Sequence, residues 1–168
     1  MASARVYHYW VDVKGQLFLR GVTRPYRDPV FLDFFFARVR ACDPSLNDGH
    51  KWVSRCGREL NYIEPMDTPI VFNNISIADD GTASLHFGAS LLEPFDASRL
   101  CVKSHLGRLY YRAQKHPAAV EVGACLCSSS LTFDLVQNGT LGFNEITGQF
   151  LCRGRVVEEL PCLKSNTK

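Results

Sequence analysis

The sequence predicts an α+β fold in which a curved, mainly antiparallel, barrel-like sheet is packed by one Phe-rich helix. Three observations predict it. Short apolar stretches with two-residue alternation recur along most of the chain, separated by Gly, Asp and Asn turn signals. Only one segment, residues 28–40, combines helical spacing with a helix start signal. The 168 residues show no internal repeat, linker or low-complexity tract, so a single domain over residues 1–168 is expected.

The first element is a hairpin. Tyr7 to Val13 is aromatic and β-branched, Val13-Lys14-Gly15-Gln16 is a tight turn, and Gln16 to Arg20 returns. Asp28 then caps a helix whose first position is Pro29. Phe31, Phe34, Phe35 and Val39 fall at helical spacing, and Arg38 and Arg40 are placed in the last turn, where cations oppose the helix dipole. From Lys51 onward the pattern becomes strands: Trp52 to Ser54, Leu60 to Ile63, Ile70 to Ile77 and the alternating Ala83 to Phe87, with an Asp79-Asp80-Gly81 turn before the last. Residues 94–100 are expected to form a short helical turn. Gly107 to Arg112 and Leu131 to Leu135 are further strand candidates, and Val120 to Ser130 is open between strand and helix. Arg153-Gly154 turns a final hairpin joining Phe150–Cys152 to Val156–Leu160.

Composition excludes some function classes. Hydrophobic residues make up 46% and charged residues 21%, which argues against disorder. No apolar run approaches the ~20 residues needed to span a bilayer, so no membrane insertion is expected. Met1 to Arg5 is too short for a secretion signal. Without a secretory route, the seven cysteines (42, 56, 101, 125, 127, 152 and 162) are expected to be reduced thiols in an intracellular protein. Residues 1–60 carry ten Lys/Arg against six Asp/Glu, a mildly basic third that more often marks a solvated face than a partner site.

Several blocks in fixed order carry a family resemblance. They are Tyr9 to Leu19, Phe31 to Arg40, Cys56 to Tyr62 with Asp67 to Phe72, Pro94-Phe95, Gly107 to Tyr110, and Ser130 to Phe133. Together they resemble uncharacterised protein family 0598, which has bacterial and mitochondrial members. The likeness spans about Tyr7 to Leu135 and implies a mitochondrial setting if the source is eukaryotic, and otherwise the cytoplasm. It implies no activity. A weaker likeness to a bacterial family of unknown function implies a β-barrel-like fold. The chain departs from the pattern at Arg20 to Arg27, at Tyr111-Arg112 and at Ala118 to Gly123, where a glycine-rich stretch is usual.

The densest chemical cluster is Arg55-Cys56-Gly57-Arg58-Glu59. A thiol between two guanidinium groups has a lowered pKa and becomes nucleophilic, which makes Cys56 and Glu59 the catalytic candidates. The plainer reading, and the favoured one, is a buried cysteine at a turn with Arg58 paired to Glu59 or Asp67. Candidate binding residues are Arg55, Arg58, Asn61, Arg108 and Tyr110, in or beside the blocks of the resemblance. Glu59, Glu64 and Asp67 form an acid–base group only if a turn gathers them, and serve equally as ion-pair partners. Cys125-Leu126-Cys127 with Cys152 or Cys162 is a weak zinc pattern because no second Cys-x-x-Cys or His pair accompanies it, so neither a metal nor a cofactor is expected. Tyr7, Tyr9 and Trp10 near Arg20, Arg24 and Arg27 suit base stacking, but alternation leaves only half of those aromatics exposed, and nucleic acid is disfavoured.

With a full core and no recognisable catalytic set, the expectation is a non-enzymatic binding or accessory domain. Its partner is a protein or an anionic small molecule. The alternative is a small enzyme using Cys56 with Arg58 or Glu59 on an anionic substrate.

Overall fold

The computed structural model describes residues 3–161. Cys162 and the residues after it, together with the ends of the expected 1–168 domain, lie outside the described part.

Strands β1 (Arg5–Val11) and β2 (Leu17–Leu19) form the first hairpin, with Trp10 opposite Phe18. Its turn is made by Asp12, whose carboxylate accepts the N–H groups of Lys14 (2.9 Å) and Gln16 (2.8 Å). Gly15 has φ 82°, a conformation that costs glycine nothing, and a Cβ there would meet Val71 Cβ at 3.2 Å. Helix α1 (Pro29–Ala37) starts as the sequence predicts, with Asp28 accepting from the amides of Val30 (3.0 Å) and Phe31 (3.4 Å).

The helix ends earlier than predicted. Arg38 is its C-cap and Arg40 lies in strand β3 (Val39–Ala41), yet both still serve the helix end. Arg38 Nη1 donates to the Phe34 carbonyl at 2.9 Å and Arg40 Nη1 to that of Ala37 at 3.0 Å. Phe34 does not face the core as predicted. It is 42% exposed with the Arg38 guanidinium 3.5 Å above its ring, while Phe35 and Phe36 are buried.

Strands β4 (Trp52–Cys56) and β5 (Glu59–Pro65) complete a five-stranded sheet of order β2-β1-β5-β4-β3. Its centre is parallel: β1 runs beside β5 from the pair Arg5 and Glu59 to Val11 and Pro65. Alternation gives this sheet an inner face carrying Tyr9, Ile63 and Ser54, against which α1 packs. Ser54 Oγ donates to the Phe35 carbonyl at 2.7 Å.

The stretch predicted as one strand from Ile70 to Ile77 is broken at Asn73 into β6 (Val71–Phe72) and β7 (Asn74–Ile77), which join different sheets. A three-stranded meander consists of β7, β8 (Ala83–Phe87) and β9 (Leu91–Pro94). The expected turn near residue 97 is a single 3₁₀ turn, Ala97–Arg99, capped by Asp96. Strands β10 (Leu100–Lys103) and β11 (Arg108–Tyr111) form a hairpin. Helix α2 (Pro117–Val122), strand β12 (Cys125–Cys127) and helix α3 (Ser129–Gln137) follow. The chain then makes β13 (Gly142–Asn144), β14 (Gln149–Cys152), β15 (Arg155–Val156) and β16 (Glu158–Glu159). The second large sheet has order β16-β10-β11-β12-β6, and β13-β14-β15 is a small sheet of its own.

The α+β class and the predominance of strands hold, and among the described residues nine of the twelve strand pairings are antiparallel. Two details of the expected architecture need correction. Among the described residues no sheet closes into a barrel; four open sheets pack together. Among the described residues three α-helices, not one, cover them. Leu131 to Leu135 is helical rather than extended, because Ser128 accepts the Leu131 amide and caps α3. In α2 the small, buried Ala118 and Ala119 let the helix lie against β3. Buried side chains from the two large sheets, the meander and the helices form one continuous cluster that includes Phe35, Phe72, Leu85, Tyr110, Tyr111, Leu131 and Val157.

Candidate functional site

The β10–β11 hairpin turns through residues 104–106, and Gly107 takes φ 62° to re-enter the sheet. Two-residue alternation then puts Arg108 and Tyr110 on one face. Asp67, from the connection between β5 and β6, reaches both. Its Oδ2 accepts from Arg108 Nη1 and from the Tyr110 hydroxyl, each at 2.6 Å. The Asp67 side chain is 9% exposed and that of Arg108 is 38% exposed, so a carboxylate inside the protein fixes a guanidinium at its surface. Burial, and then the bond to Asp67, pushes the Tyr110 phenol up, so it stays a neutral donor. The Asp67 bond raises Arg108 further. Lys103 Nζ lies 4.5 Å above the centre of the Tyr110 ring. Asp67 is thus paired with one cation, Arg108, while a second, Lys103, lies over the Tyr110 ring.

Arg108 borders two cavities. The larger is a cleft of about 550 Å³ between the β10–β11 hairpin and the small C-terminal sheet, with Val102, Phe143, Phe150, Val156 and Val157 as apolar lining. The smaller, about 220 Å³, is lined by Val13, Leu126, Cys127 and Thr132. The large cleft also contains Glu158 and Glu159, but both are engaged. Arg112 grips Glu158 with two bonds of 2.6 and 3.0 Å. Ser104 holds Glu159 through its N–H (2.8 Å) and its hydroxyl. These partners keep both carboxyls below the usual range. Arg108 Nη1 donates to Asp67, and the guanidinium also interacts with the Tyr110 hydroxyl. The cleft therefore combines apolar side chains with a guanidinium fixed by Asp67 in its lining.

The other candidate residues are not gathered around this cleft. Cys56 is 8% exposed on the inner face of the first sheet, 3.5 Å from Ser54 Oγ. Alternation sends Arg55 to the opposite face, and Arg58 is exposed beyond the Gly57 turn, so the thiol does not sit between two guanidinium groups. Glu59 pairs with Arg5 at 2.9 Å rather than with Arg58. Glu59, Glu64 and Asp67 each have a different neighbour and make no acid–base group: Arg5 for the first, His50 at 3.8 Å for the second, Arg108 and Tyr110 for the third. Asn61 is 1% exposed, and neither side-chain polar atom has a hydrogen-bond partner. Tyr9 points inward, while His8 and Trp10 lie on the outer face, where Trp10 stacks on Phe18 at 4.1 Å.

Among the described residues, no group of three or more His, Cys, Asp or Glu side chains could hold a metal ion, and no helix is long and apolar enough to cross a membrane. Six cysteines are described, none in a disulfide. Burial pushes the Cys101 thiol up to about 11 and that of Cys125 to about 12, and raises that of Cys127 strongly. Iodoacetamide at pH 8 should therefore modify the half-buried Cys42 and Cys152 at least tenfold faster than Cys101, Cys125 or Cys127 in the native protein. Peptide mass spectrometry over time reads this order, and fast labelling of Cys127 would contradict the packing. Labelling of Cys56 faster than Cys42 would revive a nucleophilic role for it.

The sequence marks Arg108 and Tyr110, but the cleft was not visible there. Its walls come from Val102 and from residues 143–157, brought together only by tertiary pairing. The nearest local signal is the Arg153-Gly154 turn, which fixes the hairpin and says nothing of what it covers.

The model of a family described as a domain of unknown function, DUF4505, matches residues 1–151. Among solved structures, a DUF1285 family protein from Shewanella baltica OS155 is similar, with a TM-score of 0.52 and 10% identity, over 77% of this chain and 90% of that one. A DUF1285 family protein from Silicibacter pomeroyi DSS-3 has a TM-score of 0.54 and 13% identity, over 93% of this chain and 82% of that one. At such identities the likeness is one of fold.

Proposed function

The chain belongs to the DUF4505 family of unknown function, and we propose that it serves there as a non-enzymatic binding module for an amphipathic carboxylate. The observation that carries this is the Arg108 guanidinium, held by the largely enclosed Asp67 carboxylate that Tyr110 also bonds, in the lining of a cleft of about 550 Å³. A guanidinium has five N–H donors, so Arg108 keeps some for a ligand carboxylate beyond those engaged with Asp67 and Tyr110. Val102, Phe143, Phe150 and Val157 suit an aromatic or alkyl body. A Cys56-dependent enzyme receives no such support, since that thiol is buried away from Arg55 and Arg58.

The blocks that resemble family 0598 lie within the residues matched by the DUF4505 model. The setting inferred from that resemblance is a mitochondrion, or the cytoplasm of a bacterium. The continuous core supports treating the chain as a single domain.

Thermal shift and calorimetric titration with phenylacetate, 4-phenylbutyrate and inorganic phosphate test the reading. The two aryl carboxylates should stabilise the protein at millimolar concentration, and phosphate should not. Arg108→Lys, which keeps a cation beside Asp67 but loses the fork, should weaken aryl-carboxylate binding about tenfold. Absence of any carboxylate effect, or equal binding by the variant, would reject the reading.

A further inference from the structure

We propose that the connection between β3 and β4, residues 43–50, is an acid-sensitive latch: it lies closed over the outer face of the first sheet while His8 is neutral and lifts when His8 takes a proton. The proposal goes beyond carboxylate binding at Arg108 and uses none of the groups of that site.

His8 in β1 stands beside Tyr62 in β5, and alternation turns both to the face opposite α1. The loop closes over this face through three contacts. The His50 ring stacks on Tyr62, with centres 4.7 Å apart and planes at 9°. The Tyr62 hydroxyl donates to Asn47 Oδ1 at 3.1 Å. The Cys42 thiol donates to the His50 carbonyl at 3.2 Å. Beneath His50, Tyr62 is buried although it lies outside the main core cluster. His8 completes the group, its ring centre 5.1 Å from that of His50 and 5.8 Å from that of Tyr62. The Nδ1 atoms of both histidines are buried, and neither has a hydrogen-bond partner among the described residues. A neutral imidazole tolerates this, because it can carry its hydrogen on Nε2 and leave Nδ1 bare. A protonated one does not, because Nδ1 becomes a charged donor that meets no acceptor.

The charged groups around the pair decide which ring is the trigger. Glu64 Oε2, from β5, lies 3.8 Å from His50 Nδ1, close enough to answer a charge there. Lys51, the residue after His50, is exposed. His8 faces Arg20 at the end of β2, and His50 and Asp48 in the loop. Burial, then Arg20 and His50, hold the His8 pKa below its ordinary 6.5 against the opposing pull of Asp48. The closed state therefore binds the proton more weakly than a lifted state in which His8 is hydrated. Closure is fully favoured above the ordinary value of 6.5 and is lost as the pH falls through the lower value of the closed form. Lifting uncovers the Tyr62 ring and both imidazoles, and it frees the Cys42 thiol from the His50 carbonyl.

The test reads Cys42 in the full chain with 4,4′-dithiodipyridine, a disulfide that reacts with thiols in acid as well as at neutral pH. Rates come from peptide mass spectrometry and are divided by those of the urea-unfolded chain at the same pH. This ratio should rise about threefold or more between about pH 7.5 and about pH 5. The ratios for the buried Cys101 and Cys127 should stay flat, which separates lifting of the loop from unfolding. His8→Gln should abolish the rise. Arg20→Gln should shrink it, because the closed form then binds the proton with less resistance. A flat ratio for wild-type Cys42, or a full rise in His8→Gln, overturns the proposal. If His8→Gln does not fold, proton NMR of the wild type decides. The His8 ring and the amides of residues 43–50 should titrate with one midpoint below 6.5. A His8 midpoint at or above that value, or loop amides that ignore it, overturns the latch. Carboxylate binding by wild type and Arg108→Lys is a separate readout, so failure of either idea leaves the other standing.

Discussion

Replacing Glu93 by alanine should destabilise the protein by about 3 kcal/mol, although no part of that side chain is exposed and no cation among the described residues forms an ion pair with it. Glu93 lies in β9, and its carboxylate accepts three consecutive backbone amides: Gln114, Lys115 at 3.0 Å and His116 at 3.3 Å. These amides sit in the connection that enters α2, where the chain has no regular partner for them. The carboxylate replaces the ladder that this loop lacks. Charge-assisted bonds of this kind contribute roughly 1.5–3 kcal/mol each when buried. The exposed side chains of Gln114 and Lys115 let water recover part of the loss. Glu93→Gln keeps one acceptor and should cost about half as much. Urea denaturation monitored by tryptophan fluorescence gives both values. Two equal and small effects would mean that the loop is held by other contacts, such as the His116 ring at 2.9 Å from the Phe36 carbonyl.

Nothing in the sequence around Glu93 announces this role. The partners lie 21 to 23 residues away, and an acidic residue in Leu92-Glu93-Pro94 reads as a solvated strand residue. The same holds for Asp67, whose partners are 41 and 43 residues off. What the sequence does carry is local chemistry. Asp28-Pro29 starts α1, Asp12 and Gly15 turn the first hairpin, and Arg153-Gly154 turns the last, with φ of 50° and 74° at the two positions. Where local patterns compete, reading fails. Leu131-Thr132-Phe133-Asp134-Leu135 alternates like a strand, but the Ser128 cap decides for a helix. The number of sheets, the parallel centre of the first and the cleft beside Arg108 all depend on which strands pair. That choice is made by burial of distant residues together, so short-range periodicity does not record it.

Phe34 and Phe35 are adjacent and chemically identical, and they should respond to alanine substitution by different amounts. Phe35 is fully buried, with ring centres at 5.0 Å from Tyr9, 5.8 Å from Phe31 and 5.5 Å from Phe36. Removing it leaves a cavity between α1 and the first sheet and strips Tyr9 and Phe31 of a common neighbour, at a cost of about 4 kcal/mol. The cavity has no easy way to collapse. The helix start is fixed by the Asp28 cap, and its middle is tied through Asp33 to the amides of Ala89 and Ser90 in the β8–β9 turn. Phe34, by contrast, loses a partly solvated ring and one cation–π contact to Arg38, together about 1 kcal/mol or less. Urea midpoints at constant slope for Phe34→Ala and Phe35→Ala measure the difference. A large effect at Phe34 would imply that its exposed ring is buried against something in solution. A small one at Phe35 would mean that α1 is not what closes the inner face of the β2-β1-β5-β4-β3 sheet.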